Sequence, residues 1–188
     1  MSVEVRLVST EEMSPAELAA LRGLCDEAFR ERDAPRDTRE LSFTDEDWEN
    51  ACGGVHAVAF EGEVPVAHAS TVERQLHVDG VPFLCGYVEA VATRPDRQRR
   101  GLGTAVMGAL GQHIHAAFPL GALDTSRHHF YERLGWERWL GPTFVRVGDG
   151  IVATSEEDGY VMILRTPTTP ALDLAAPISC EWRPGDVW

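Results

Sequence analysis

Hydrophobic and polar positions repeat with two different periods along the 188 residues. Val3, Val5 and Leu7 alternate with Glu4 and Arg6, which predicts a first strand with one buried face. Ser14-Pro15-Ala16-Glu17 combines an N-cap serine, a proline at the first helical position and a glutamate three after the cap. Leu18, Leu21, Leu24, Cys25 and Phe29 extend it as an apolar stripe at helical spacing. The charged stretch 30–40 contains Pro35 and predicts a loop; residues 44–51 predict a short helix capped by Thr44, with Asp47 three residues on. From Val55 the period becomes two. Residues 55–60 and 64–78 predict strands joined at Glu61-Gly62-Glu63, and Asp79-Gly80 turns the chain into a long strand over 81–93, broken by Pro95. A helix over 101–118, a strand over 121–124, a helix ending near Leu134-Gly135 and strands over 136–140, 143–147 and 160–165 follow. The segment 166–188, rich in proline, predicts an extended arm. The order implies an α/β (α+β) fold: a mixed sheet with helices packed on it.

Composition narrows the function. Thirty Asp and Glu against 17 Lys and Arg give a net charge of −13, which argues against nucleic acid and against an anionic membrane surface, and favours a cationic partner. No apolar run approaches the ~18 residues of a membrane span, and the first residues lack the basic and apolar regions of an export signal. Cys25, Cys52, Cys85 and Cys180 are scattered with no CxxC pair. They read as apolar thiols in a reducing compartment, with no metal site expected and a cytoplasmic location.

The segment from Tyr87 to Thr104 carries the chemistry. An apolar strand runs into a turn holding Arg94, Arg97, Arg99 and Arg100, a positive island in an acidic protein, and the turn opens a helix through Gly101 and Gly103. Glycines admit close approach of a ligand to the backbone. Free N–H groups at a helix start, aligned with its dipole, attract phosphate. There is no Gly-x-x-x-x-Gly-Lys-Ser/Thr loop, and the third glycine of a dinucleotide fingerprint is missing. On the strand, Tyr87, Glu89, Val91 and Thr93 share one face by strict alternation. A carboxylate at Glu89, between Val88 and Val91, is costly to bury without a task.

The strand, the Gln98-x-x-Gly101-x-Gly103 turn and the helix resemble the acyl-CoA signature of the GCN5-related N-acetyltransferase (GNAT) superfamily over about residues 55–164. The resemblance implies the GNAT fold, a mixed central sheet splayed at the acyl-CoA site with helices on both faces, and acetyl-CoA as co-substrate. It implies that the backbone of Val91, Ala92 and Thr93 pairs with the pantetheine arm. Gln98, Arg99, Arg100, Gly101, Leu102, Gly103 and Thr104 would hold the pyrophosphate. Phe130-Tyr131-Glu132-Arg133-Leu134-Gly135-Trp136 is similar to the stretch whose tyrosine sits by the thioester sulfur, which makes Tyr131 the candidate acid.

Phe43-Thr44-Asp45-Glu46-Asp47-Trp48, Cys85-Gly86-Tyr87-Val88-Glu89 and the final Glu181-Trp182-Arg183-Pro184-Gly185-Asp186-Val187-Trp188 resemble the aminoglycoside 2'-N-acetyltransferases over nearly the whole chain. That resemblance places Glu89 as the base and brings the carboxylate of Trp188 and Asp186 to a cationic sugar. Ser42, Asp47, Ala90, Asp124, Glu156 and Glu157 fall at acceptor-lining positions. It implies residues 1–165 as the catalytic domain, 166–188 as an arm completing the acceptor site, a homodimer, and antibiotic resistance as the outcome. Ser42 stands where the family has aspartate, Asp124 where it has serine, and Ala90 where it has glycine. The segment between Asp124 and Tyr131 is about two residues short. These departures lie on the acceptor side and leave open another amine (kasugamycin, a polyamine or a protein N-terminus) or a silent acyl-CoA-binding module.

Overall fold

A computed structural model describes residues 3–29 and 43–188. Two compact units divide the chain: residues 1–72 with 89–110, and residues 73–88 with 111–188. The longest elements are the strands β3 (Val64–Val78) and β4 (Val81–Thr93) and the helices α1 (Pro15–Phe29) and α3 (Leu102–Ala117). The loop expected over 30–40 lies outside the described residues, as does Ser42.

In the first unit, β1 (Val3–Ser9) pairs antiparallel with β2 (Val55–Glu61), which pairs antiparallel with β3. Among the described residues β1 pairs with β2 alone, and the buried face expected for it is weak: Val5 is half-buried while Val3 and Leu7 are exposed. Helix α1 (Pro15–Phe29) starts as its sequence signals. The Ser14 N–H donates to Glu17 Oε2 at 2.8 Å, and the Glu17 N–H donates back to Ser14 Oγ at 3.3 Å. Helix α2 (Asp45–Ala51) has the same reciprocal box, with the Thr44 N–H on Asp47 Oδ2 and the Asp47 N–H on Thr44 Oγ1. Leu24 and Cys25 of α1 pack with Ala92 of β4, flanked by Phe43 and Trp48.

The second unit carries a mixed sheet. Its parallel strands β4 and β5 (Leu120–Asp124) pair only at Gly86↔Gly121 and Tyr87↔Ala122, while β4 runs on to Thr93. After the five-residue helix α4 (His128–Glu132), the strand expected over 136–140 is reduced to Glu137–Arg138 (β6). Strands β7 (Thr143–Val147) and β8 (Gly150–Ala153) form an antiparallel hairpin, and β9 (Val161–Arg165) lies antiparallel on β5. The tail is more than an extended arm. Its β10 (Ile178–Glu181) inserts between β3, antiparallel, and β7, parallel. Arg74, 4% exposed, fixes this strand: its Nε donates to Glu181 Oε1 at 2.8 Å, and its guanidinium lies 4.5 Å from the Tyr87 ring centre.

Candidate active site

The expected donor-side residues all fall in the first unit. Glu89 is half-buried on β4, with its Oε1 shielded from solvent. The next residue, Ala90, has φ 49°, a left-handed conformation in mid-strand that an L-residue adopts only under strain. This kink interrupts the strict alternation, so the shared face read from the sequence for Tyr87 and Glu89 does not carry through to Val91 and Thr93. Two side chains of β3 hold the kink. His68 Nδ1 donates to the Ala90 carbonyl at 2.8 Å, and Ser70 Oγ donates to the Glu89 carbonyl at 3.4 Å.

After Thr93 the chain makes a 3-10 turn at Pro95–Arg97. Arg99 at φ 61° and Gly101 at φ 80° then lead into α3, whose first bond runs from the Ala105 N–H to the Gly101 carbonyl. Left-handed residues alternating with ordinary ones turn backbone N–H groups inward as an anion-binding nest, and the N–H groups of Leu102, Gly103 and Thr104 add the start of a sixteen-residue helix. No atom lies within 4 Å of where a Gly101 Cβ would stand, so its absence leaves open space at the turn. The arrangement fits a pyrophosphate. The positive island is smaller than the four arginines suggested. Arg94 pairs with Asp96, and Arg97 with Asp96 and Glu61. Among the described residues, Arg99 and Arg100 make no ion pair and are exposed. Gln98 Nε2 donates to the Thr93 carbonyl at 3.3 Å, closing the turn on the strand end. On the same unit, Asp47 is committed through Oδ2 to the cap of α2.

The remaining expected residues lie in the second unit. Tyr131 is 6% exposed in α4, edge-on to Phe130 and Trp136, and burial pushes its phenol well above the usual tyrosine range. Asp124 is half-buried at the end of β5, opposite Val161. Glu156 is exposed and Glu157 half-buried in a 3-10 turn, Ser155–Glu157. The structure brings this turn together with Trp188. The buried indole donates from Nε1 to Thr154 Oγ1 at 3.0 Å, Thr154 Oγ1 donates to Thr143 Oγ1 at 3.0 Å, and Thr143 Oγ1 donates to Asp158 Oδ1 at 2.9 Å. Asp186 is exposed, and its carbonyl accepts from Arg183 Nε at 2.7 Å. The roles of Thr143, Thr154 and Asp158 escaped the sequence reading: Thr143 opens β7, Thr154 and Asp158 flank the 155–157 turn, and contacts between a strand end and a turn leave no periodic signal.

Among the described residues no group of three or more His, Cys, Asp or Glu is arranged to hold a metal, and no helix is long and apolar enough to cross a membrane.

The acetyltransferase (GNAT) domain family matches residues 9–139. An aminoglycoside 2'-N-acetyltransferase of Mycolicibacterium fortuitum is 40% identical in an alignment covering 97% of this chain and 91% of the relative. A GNAT family acetyltransferase from Brucella melitensis, solved in complex with acetyl-CoA, shares the fold at TM-score 0.58 and 18% identity, over 92% of this chain and 94% of that one. The ribosomal-protein-S18-alanine N-acetyltransferase of Escherichia coli aligns at TM-score 0.55 and 17% identity, over 89% of this chain and 96% of that one.

Proposed function

The chain belongs to the acetyltransferase (GNAT) family, and from that membership we propose that it transfers the acetyl group of acetyl-CoA to an amino group, the 2'-amine, of an aminoglycoside. The observation that carries the substrate class is the extent of the likeness to the mycobacterial enzyme, which spans almost the whole chain rather than the acyl-CoA half alone.

Acetyl-CoA supplies the thioester carbon that an amine attacks. The turn from Gln98 to Gly101 and the N–H groups of Leu102, Gly103 and Thr104 bind its pyrophosphate, with Arg99 and Arg100 as cations. The backbone of Val91, Ala92 and Thr93 pairs with the pantetheine, which the short β4–β5 ladder supports by ending at Tyr87. An alkyl amine has a pKa near 10 and arrives as ammonium. Glu89 takes its proton, directly or through water. As the C–N bond forms and the C–S bond breaks, Tyr131, its phenol raised by burial, gives its proton to the leaving sulfur, and the second proton that the nitrogen sheds on becoming an amide restores the phenol. Asp47, Ala90, Asp124, Glu156, Glu157, Asp186 and Trp188 hold the polycationic sugar, together with Ser42. Direct transfer in a ternary complex is supported by the thiols. Cys25, Cys85 and Cys180 are buried, and burial raises all three, Cys180 to about 11, leaving them un-ionised at neutral pH. N-acetylation removes a cation from the drug, so resistance is the biological outcome we propose, in a cytoplasmic homodimer.

Asp124 favours a second acceptor, a compact aminoglycoside such as kasugamycin or a polyamine, because it adds a carboxylate where the family has serine. CoA-thiol release from acetyl-CoA, measured with 2'-amino aminoglycosides, their 2'-hydroxy counterparts, kasugamycin and spermidine, separates the two. Turnover confined to 2'-amino compounds supports the first reading. Turnover only with kasugamycin or spermidine supports the second. Silence throughout, despite acetyl-CoA binding, overturns both.

A further inference from the structure

Two fully buried imidazoles form a chain that the acetyl-transfer roles leave unused. His56 and His68 lie on neighbouring strands, diagonal across the pairs His56↔Ser70 and Val58↔His68, with His56 Nδ1 2.8 Å from His68 Nε2. His56 Nε2 is 2.8 Å from Thr10 Oγ1, and Thr10 Oγ1 accepts the Gly53 N–H at 2.9 Å. At the other end stands the carbonyl of Ala90, 2.8 Å from His68 Nδ1.

Only one arrangement of protons satisfies this chain with both rings neutral. A carbonyl has no proton to give, so His68 Nδ1 carries one and His68 Nε2 accepts. His56 Nδ1 is then the donor and His56 Nε2 the acceptor, and the Thr10 hydroxyl gives its one proton to that nitrogen at 2.8 Å rather than to the Gly54 carbonyl, which lies farther off at 3.2 Å. Every bond points the same way, toward Ala90. Any other neutral arrangement sets two lone pairs or two N–H groups against each other at one of these 2.8 Å contacts, and a charged one buries an imidazolium beside the Trp48 indole, whose ring centre is 6.3 Å from His56 and 6.1 Å from His68, and the Cys25 thiol, 3.8 Å from His68 Nδ1.

The chain ends where the backbone is strained. Ala90 at φ 49° lacks the freedom of glycine, and something must hold it there. We propose that His68, fixed in its Nδ1–H tautomer by His56 and Thr10, is a positioning residue that clamps the kink at Ala90 and thereby aims the Glu89 carboxylate. The assignment rests on Glu89 being the base, as proposed above. His68 touches no reacting atom and acts through the backbone alone.

Nitrogen-15 NMR of the histidine rings at neutral pH tests the chain in the wild-type protein without any activity. The expected spectrum shows a pyrrole-type Nδ1 and a pyridine-type Nε2 for both His56 and His68. A pyrrole-type Nε2 or an imidazolium at either ring overturns the proposal. The second arm is kinetic. His68→Leu removes the donor, and kcat is expected to fall roughly 10- to 100-fold, the size seen when a catalytic group is misplaced by about 1 Å, with the acetyl-CoA KM changed less than about threefold. His68→Asn returns an N–H near the Nδ1 position and should recover most of kcat. Ala90→Gly in the His68→Leu background should recover part of it, because glycine adopts the kink unaided. Loss of kcat that neither change rescues marks His68 as a packing residue and overturns the proposal, as does a His68→Leu enzyme with wild-type kcat. Wild-type protein that acetylates no amine defeats the functional reading alone, while the nitrogen spectrum and a gain in the melting temperature of His68→Leu on adding Ala90→Gly still decide the clamp.

Discussion

Glu89 sits one residue before a left-handed kink at Ala90, the feature proposed above to aim its carboxylate. A general base of this kind contributes roughly 10²–10⁴ in rate. Glu89→Gln keeps the shape and removes the proposed base, so kcat should fall by that order, while the acetyl-CoA Kd, measured by calorimetry, stays unchanged. A variant with full turnover would mean that the acceptor's proton leaves by another route. The residues behind the kink have their own signature. Burial lowers His56 to about 4 and His68 to about 3, the neighbouring imidazole adding to the effect at His68. The unfolded chain takes up protons below a pH of about 6.5, and the folded chain resists until about 4. Stability is therefore full above about 6.5 and declines as pH falls toward 4. Urea midpoints between pH 7 and 4 check this, with a shallower decline expected in His68→Asn. The two findings differ in legibility. Glu89 stood out because a carboxylate in an apolar strand contradicts its surroundings. His56 and His68 stand in a strand pattern that any polar residue could interrupt, and their pairing depends on strand register and on a carbonyl 22 positions away.

Local signals served best where the cause is local. The capping boxes of α1 and α2 and the Asp79-Gly80 turn, with φ 49° and 77°, lie within a few residues of the side chains that make them. Strand β10 was read as part of an arm because its four residues are too few to show a period. It is also paired on both edges with three of the four residues buried, so its alternation of Ile178 and Cys180 with Ser179 and Glu181 reports a buried polar side rather than a solvent face. The consequence is testable. A chain ending at Arg165 loses β10 from between β3 and β7, the Ala176 carbonyl that accepts the buried Trp139 indole at 2.9 Å, the Leu174 carbonyl that accepts Leu140 and Gly141, and the Glu181 partner of Arg74. Removing one member of a buried ion pair typically costs about 3–5 kcal/mol; Glu181 is partly exposed, so its share is smaller, and the lost strand pairing adds to it. The truncated chain should lose its cooperative thermal transition by circular dichroism. A truncation that melts within a few degrees of the full chain, and loses only acceptor affinity, would make the segment an arm after all.

A net charge of −13 acts on both substrates at once and in opposite senses. A polycationic aminoglycoside is drawn to the protein from a distance, whereas the phosphates of acetyl-CoA are repelled by the whole and, on the proposed reading, attracted only near the turn, where Arg99 and Arg100 stand beside the helix start. Asp96 and Glu61 neutralise Arg94 and Arg97, so the attraction is short in range, and pairings of this kind are invisible to a count of arginines along the chain. Screening separates the two effects, because the Debye length shrinks from about 30 Å at 0.01 M salt to about 8 Å at 0.15 M. Over that interval kcat/KM for the aminoglycoside should fall steeply, while kcat/KM for acetyl-CoA stays flat or rises. Replacing the carboxylates of the 155–157 turn, as Glu156→Gln with Glu157→Gln, removes two charges without touching Glu89 or the donor turn, and should flatten the aminoglycoside slope alone. Equal slopes for the two substrates would mean that capture is governed by contacts at the site, and the acidic composition would then have no part in selecting a cation.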